Sequence, residues 1–136
     1  AESPEIIYAT RAYLTRHGAG PFPTELAEKP YPRIEDLTNI PNPYQGTLRF
    51  GLLDLDSLSK EISNDLKNSG ALNYSASLAV TCLDQIDDKI EYILNSVRIK
   101  SGVEDFLRAA LRTVKVEKCY TSYGPTRSTI FPVTNI

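Results

Sequence analysis

Thr15-Arg16-His17-Gly18-Ala19-Gly20-Pro21-Phe22-Pro23-Thr24-Glu25 packs two glycines and two prolines into eleven residues. It follows a strand-like run, Ile6-Ile7-Tyr8-Ala9-Thr10-Arg11-Ala12-Tyr13-Leu14. Glycine lets a backbone reach positive φ and lets a ligand approach closely, and proline stiffens the path out of the turn. α/β folds place ligands where a strand runs out into such a turn, at the strand's carboxyl end. An ordinary tight turn has the same composition, so composition alone leaves both readings open.

Residues 5–14 read as one strand. Ile7, Ala9, Arg11 and Tyr13 fall on one face and Ile6, Tyr8, Ala12 and Leu14 on the other, which predicts cover on both sides. Residues 25–45 carry Pro30, Pro32, Pro41 and Pro43 without periodicity and predict a long surface loop, functional or merely connecting. Leu55, Leu58, Ile62 and Leu66 share a helical stripe over 56–68, capped by Asp56 or Ser57 and closed at Gly70. Residues 73–83 predict a buried strand, and 85–100 a further strand with Val97 and Ile99 extending it or turning back beside it. Ser101-Gly102-Val103-Glu104 has the spacing of a capping box opening a helix that runs to about Val114. A short strand follows at 116–121 and another, or a tail, at 128–133.

The chain has 136 residues, which bounds it to a single segment, 1–136, with one core. It is 41% hydrophobic and 24% charged with a net charge of −2, so nothing electrostatic favours nucleic acid or an anionic membrane. No apolar run approaches a membrane span, and the polar start Ala1-Glu2-Ser3-Pro4-Glu5 carries no secretory signal. Cys82, Cys119 and the single His17 lack metal-ligand spacing, so no metal site is expected and both cysteines read as reduced cytoplasmic thiols.

The opening stretch resembles the T-R-x-G-x-G-P-x-P-T-E signature of adenylosuccinate synthetases, ligases that join aspartate to the purine ring of IMP. His17 departs from the apolar residue of the common cellular enzymes and looks more like the phage-type 2-aminoadenylosuccinate synthetases, which act on dGMP. Asn42-Pro43-Tyr44-Gln45-Gly46-Thr47-Leu48-Arg49-Phe50-Gly51-Leu52-Leu53-Asp54 is similar to the family's aspartate-binding loop, which ends in R-x-G-x-x-D. That loop usually crowds several arginines. Here only Arg49 remains, with Asn39, Asn42 and Gln45 able to offer neutral hydrogen bonds. A guanidinium suits a carboxylate or a nucleotide oxygen because it presents paired donors, although a lone arginine is as commonly a surface ion pair. Thr47 stands where the family has an arginine near the ribose hydroxyl, which suits a deoxynucleotide.

Thr81-Cys82-Leu83-Asp84 resembles the family's T-K-L-D, which reads the base of GTP, with Cys82 in place of the lysine. A carboxylate accepts two hydrogen bonds from guanine's ring NH and exocyclic amine, but aspartate after a strand is also a frequent turn cap. Loss of the lysine opens the site to ATP or dATP as well as GTP. Ser122-Tyr123-Gly124-Pro125-Thr126-Arg127 resembles S-T-G-P-x-R, which edges the same base.

The resemblance implies an α/β fold of mixed-sheet strands flanked by helices, and a ligase of purine biosynthesis that uses a nucleoside triphosphate and magnesium and works as a homodimer. It implies Arg16, His17, Gly18 and Thr47 at the purine monophosphate, and Asn42, Gln45, Gly46, Thr47 and Arg49 at L-aspartate. Arg49, Cys82, Asp84, Ser122 and Gly124 fall at the donor nucleotide. All three motifs are expected on one rim of one sheet. The likeness covers most of this chain but only the C-terminal portion of the family. The N-terminal half, with its phosphate-binding glycine loop, catalytic aspartate and catalytic histidine, has no counterpart here, and no G-x-x-x-x-G-K-[ST] is present. No catalytic residue is therefore expected in this segment, and alone it is expected to bind weakly and turn over nothing. A non-catalytic nucleotide-binding or regulatory module of the same fold is the rival reading.

Overall fold

In the computed structural model, which describes residues 3–70 and 72–136, the first strand is two strands. Ala1 and Glu2 of the polar start lie outside the described residues. β1 (Glu5–Arg11) and β2 (Tyr13–Arg16) join different sheets, and the chain crosses between them at Ala12. The Ala12 amide still donates to the Thr81 carbonyl at 3.0 Å, whereas Tyr13 already pairs with Leu52. Tyr13 is buried against Tyr31 and Phe50, with ring centroids 6.3 and 6.2 Å away. Period-2 alternation carries no mark of a change of sheet, which is why the run reads as continuous.

The remaining elements are β3 (Arg49–Asp54), α1 (Leu55–Asn68), β4 (Ser75–Thr81), β5 (Ile90–Leu94), β6 (Val97–Ser101), α2 (Val103–Val114), β7 (Lys118–Ser122) and β8 (Ile130–Pro132). One sheet has the order β1-β4-β7-β8, its first three strands parallel and β8 antiparallel. The other has the order β2-β3-β5-β6, with only β3 and β5 parallel. The fold is α/β with two mixed sheets and two helices, and the motifs are distributed over both sheets instead of one rim.

Leu53, Leu55, Leu78, Val80, Ile90 and Phe106 form the centre of one continuous core, with Phe106 set edge-on to Tyr92 at 5.0 Å. β1 is an edge strand, and contrary to expectation only one of its faces is covered: Glu5, Ile7, Ala9 and Arg11 are exposed. Val97 and Ile99 turn back as β6, through Asn95 and Ser96 at positive φ.

Caps differ from the sequence expectation by one or two residues. Asp54, not Asp56 or Ser57, caps α1, accepting from the amides of Asp56 and Ser57 at 3.0 and 3.2 Å. The Asp56 carboxylate instead accepts the amides of Asn95 and Ser96, both at 2.9 Å, and closes the β5–β6 turn. Ser101 is still paired in β6, so Gly102 caps α2 without a side-chain bond and no capping box forms. Arg108 pairs with Glu104 and Asp105 on the solvent side of α2. Cys82 and Cys119 are both free thiols. They lie apart: Cys119 pairs with Leu78, four residues before Cys82, roughly 13 Å along the strand. No helix among the described residues is long and apolar enough to cross a membrane.

Two outcomes follow from this packing. The Cys119 thiol is 2% exposed, and burial pushes its pKa up to about 11, so brief alkylation near neutral pH should label Cys82 and leave Cys119 until unfolding, as peptide mass mapping will read. A Cβ on Gly51 would stand 2.8 Å from the Phe22 ring and from the Thr24 carbonyl, so Gly51→Ala should lower stability by about 1–3 kcal/mol in denaturant titration.

Candidate functional site

The parallel strands β1, β4 and β7 end together at Arg11, Thr81 and Ser122, and a cavity of about 650 Å³ opens at that rim. Cys82, Asp84, Ser122 and Gly124, from two separate motifs, line it together. Local chemistry sets each one. Cys82 adopts the left-handed conformation (φ 62°), which turns the chain sharply out of β4 into the short helical turn Leu83–Gln85. Leu83, 3% exposed, anchors that turn in the core, and the Gln85 amide closes it onto the Cys82 carbonyl at 3.2 Å. Asp84, beside it on the same turn, is exposed and lines the cavity. The Ser122 hydroxyl donates to the Gly124 carbonyl at 3.0 Å. A Cβ on Gly124 would meet Thr129 at 3.1 Å, so glycine lets the chain fold back there.

The other wall was not legible as a site. Tyr13 and Gln85 line the cavity, and the Tyr13 hydroxyl donates to Gln85 Oε1. Burial pushes the Tyr13 phenol up to about 12, so it remains a donor. Residues 35–38 of the long loop complete the wall. Their turn is built by Asp36, whose carboxylate accepts from the amides of Thr38 and Asn39, both at 3.0 Å, and from both side chains. Those bonds, the Asn39 amide first, hold the Asp36 carboxyl far below its usual range. The Asp36-Leu37-Thr38-Asn39 order is a turn signature that could have located this segment, but nothing local says which strands it lies across.

A second cluster forms around the glycine-rich turn. Arg16 and Arg49 stand opposite each other in the β2–β3 register, and both guanidinium groups turn onto that one loop. Arg16 donates to the Ala19 carbonyl through Nε and Nη2, at 3.2 and 2.9 Å. Arg49 Nη1 donates to the carbonyls of Gly18 and Gly20, each at 2.9 Å. Its Nε and Nη2 pair with the two carboxylate oxygens of Glu25, and the guanidinium lies 5.6 Å from the centre of the Phe22 ring. Glu25 is held below its usual 4.5 by the hydrogen bonds from Arg49, which outweigh its desolvation. Gly18 and Gly20 have φ of 92° and 115°, and a Cβ on Gly20 would strike the Arg16 guanidinium at 2.4 Å.

His17 Nε2 lies 3.4 Å from the Gly46 carbonyl, which brings the first two motifs together. Asn42 and Gly46 exchange backbone bonds, while Asn42 Oδ1 accepts from the amides of Tyr44 and Gln45 at 3.0 and 2.9 Å. Gln45 lies 3.9 Å from the position of a Cβ on Gly18, and Thr47 is exposed beside it. Arg16, His17, Gly18, Gln45, Gly46 and Arg49 thus share one locality, and none of them lines the cavity of Asp84. β2 links the two, with Tyr13 at the cavity and Arg16 at the loop, roughly 10 Å apart along the strand. Among the described residues no group of three or more His, Cys, Asp or Glu side chains is arranged to hold a metal ion.

The Glu25–Arg49 pair gives a pH signature. Because the folded carboxyl titrates below 4.5, its stabilisation is complete above that value and is lost as pH falls through the depressed folded value. Glu25→Gln should lower stability to denaturant at neutral pH, and the difference from the parent should shrink as pH falls through the depressed folded value of the Glu25 carboxyl. An unchanged difference at low pH would reject the pair as the lock on this loop.

No protein-family model matches the chain. Curated relatives do. The adenylosuccinate synthetase of Methanococcus maripaludis (strain C5) is 28% identical over 126 residues, 89% of this chain and 33% of that protein. That of Methanococcoides burtonii is 32% identical over 108 residues, 74% of this chain and 24% of the relative. That of Burkholderia mallei is 28% identical over 130 residues, 88% of this chain and 27% of the relative. The chain spans about a third of the length of the first Methanococcus relatives and less of the other two. Along most of its own length, then, the chain is similar to adenylosuccinate synthetases from archaea and from a bacterium.

Proposed function

We propose that these residues are the substrate- and nucleotide-binding segment of an adenylosuccinate synthetase-like ligase, which joins L-aspartate to the 6-position of a purine nucleotide at the expense of a nucleoside triphosphate. The observation that carries this reading is the cavity in which Cys82, Asp84, Ser122 and Gly124 meet, although the two motifs lie far apart in sequence. The lining bears the carboxylates of Glu35, Asp36 and Asp84 against the single guanidinium of Arg11. An acidic lining favours the base of a nucleotide, which brings N–H donors, over its phosphates.

On this reading the donor base enters the cavity and presents its N–H edge to Asp84, with Ser122 and Gly124 along its side. The purine monophosphate lies at the glycine-rich turn beside His17 and Thr47, and aspartate at the Asn42–Arg49 loop. Arg49 is a positioning residue, because its guanidinium already holds two loop carbonyls and Glu25. The γ-phosphoryl group passes to the purine 6-oxygen and releases the diphosphate. The aspartate amine then attacks carbon 6 and inorganic phosphate leaves. Holding three reactants in register is the contribution of this chain, and positioning of that kind accounts for a large share of such a rate. Groups that move protons or hold the triphosphate lie outside these residues, and a homodimer is the assembly proposed. Thr47 and His17 favour dGMP over IMP, the preference of the 2-amino branch.

The engagement of four of the five N–H groups of Arg49 favours a second reading, a nucleotide-binding module without ligase activity, since little of this guanidinium is left for the aspartate carboxylate. One matrix separates the two: the full-length protein with aspartate and either dGMP or IMP, crossed with ATP, dATP and GTP. Succinyl-purine product by chromatography, faster with dGMP, is the expected result. Nucleotide binding without product favours the module. Neither binding nor product rejects both.

A further inference from the structure

Leu37 is 79% exposed, yet it lines the cavity. Exposed leucines are common and need no explanation when they sit on loose surface. This one does not. The Asp36 carboxylate fixes the turn through its bonds to Thr38 and Asn39. The chain just before it is anchored in the core by Tyr31 and Ile34, at 3% and 4% exposure, and Lys29 Nζ ties the carbonyls of Pro32 and Ile34, each at 3.0 Å. A branched apolar side chain is therefore held in water at the mouth of a cavity that also carries a hydrogen-bonding edge at Asp84 and Ser122. A planar heteroaromatic ring has those two requirements at once: polar partners at its edge and apolar cover on its face.

We infer that Leu37 is the face-covering contact of the cavity, packing on the flat of the donor base whose edge Asp84 holds. The inference rests on the proposed donor-base role of this cavity and adds a specificity rule to it. Contact with the face is blind to ring substituents, whereas contact with the edge is not. Leu37 should therefore set how tightly any purine donor is held, and Asp84 which purine is preferred.

The test is calorimetric titration of the full-length protein with GTP and with ATP. Leu37→Ala should weaken both by the same factor, about fivefold to tenfold from the apolar area lost. Leu37→Met, which restores most of that area, should return both to within about twofold of the parent. Neither change touches a hydrogen bond of the Asp36 turn, so melting temperature should not move. Asp84→Asn should weaken GTP more than ATP. If Leu37→Ala binds both nucleotides as the parent does while Asp84→Asn still discriminates, the face contact is wrong and the donor-base reading survives. A loss confined to one nucleotide likewise overturns the face contact. If the parent binds neither nucleotide, or Asp84→Asn changes nothing, the donor-base reading itself fails and the inference with it.

Discussion

The single hydrogen bond from the Ala12 amide to the Thr81 carbonyl marks the last point at which the first strand belongs to its own sheet. One residue later Tyr13 is paired to Leu52 in the other sheet, with its ring closed in by Tyr31 and Phe50. Everything functional depends on that handover. It leaves β1 beside β4 in the sheet whose strand ends open into the cavity, and it sends β2 on so that Arg16 and the glycine-rich turn emerge beyond it. Ala12 is fully buried at the junction, where a larger side chain would have to displace the core. The two clusters are thus the two ends of one short strand, and their spacing is set by backbone geometry and not by loop conformation.

The glycine-rich turn illustrates how like charges are made tolerable. Arg16 and Arg49 face one another across β2 and β3, an arrangement that is ordinarily unfavourable. Each guanidinium finds carbonyls of the same turn, and Glu25 neutralises one of them with a two-pronged pair. The arginines are therefore the scaffold of the turn. A left-handed Gly18 and Gly20 let the carbonyls aim inward at them, and Phe22 lies within cation–π reach of Arg49. Four of the five N–H groups of Arg49 are engaged within this turn and by Glu25.

Most elements were legible because their periodicity is strong: α1, α2 and β4 lie where apolar spacing puts them, whereas the strand expected over 85–100 is confined to β5 and β6 on either side of a turn at Asn95. Three features were not. The break at Ala12 leaves no trace in an alternating pattern. The cap of α1 at Asp54 competes with two equally suitable neighbours, and only the geometry shows Asp56 engaged with another turn. The partition into two sheets is a matter of long-range pairing, which local composition does not encode. The motif residues fared similarly. Their proximity at Cys82, Asp84, Ser122 and Gly124 was anticipated from strand ends, while Tyr13, Gln85 and the Asp36 turn were not, because each is brought in by packing from elsewhere in the chain.

The Asp36 turn also explains how a proline-rich loop can serve as a wall. A loop that orders only on ligand binding charges the cost of ordering against affinity, and long loops without regular structure usually do so. Here the order is in place beforehand. The carboxylate is bound by four donors, and Tyr31 accepts the Glu91 amide through its hydroxyl at 2.8 Å, linking the loop to β5. A ligand entering the cavity meets a surface already shaped, so the contacts it makes appear in binding without a large entropic offset. On the donor-base proposal, a ring must lie flat between the pinned turn and the β4 and β7 ends to reach Asp84, so shape selects alongside the hydrogen-bonding edge.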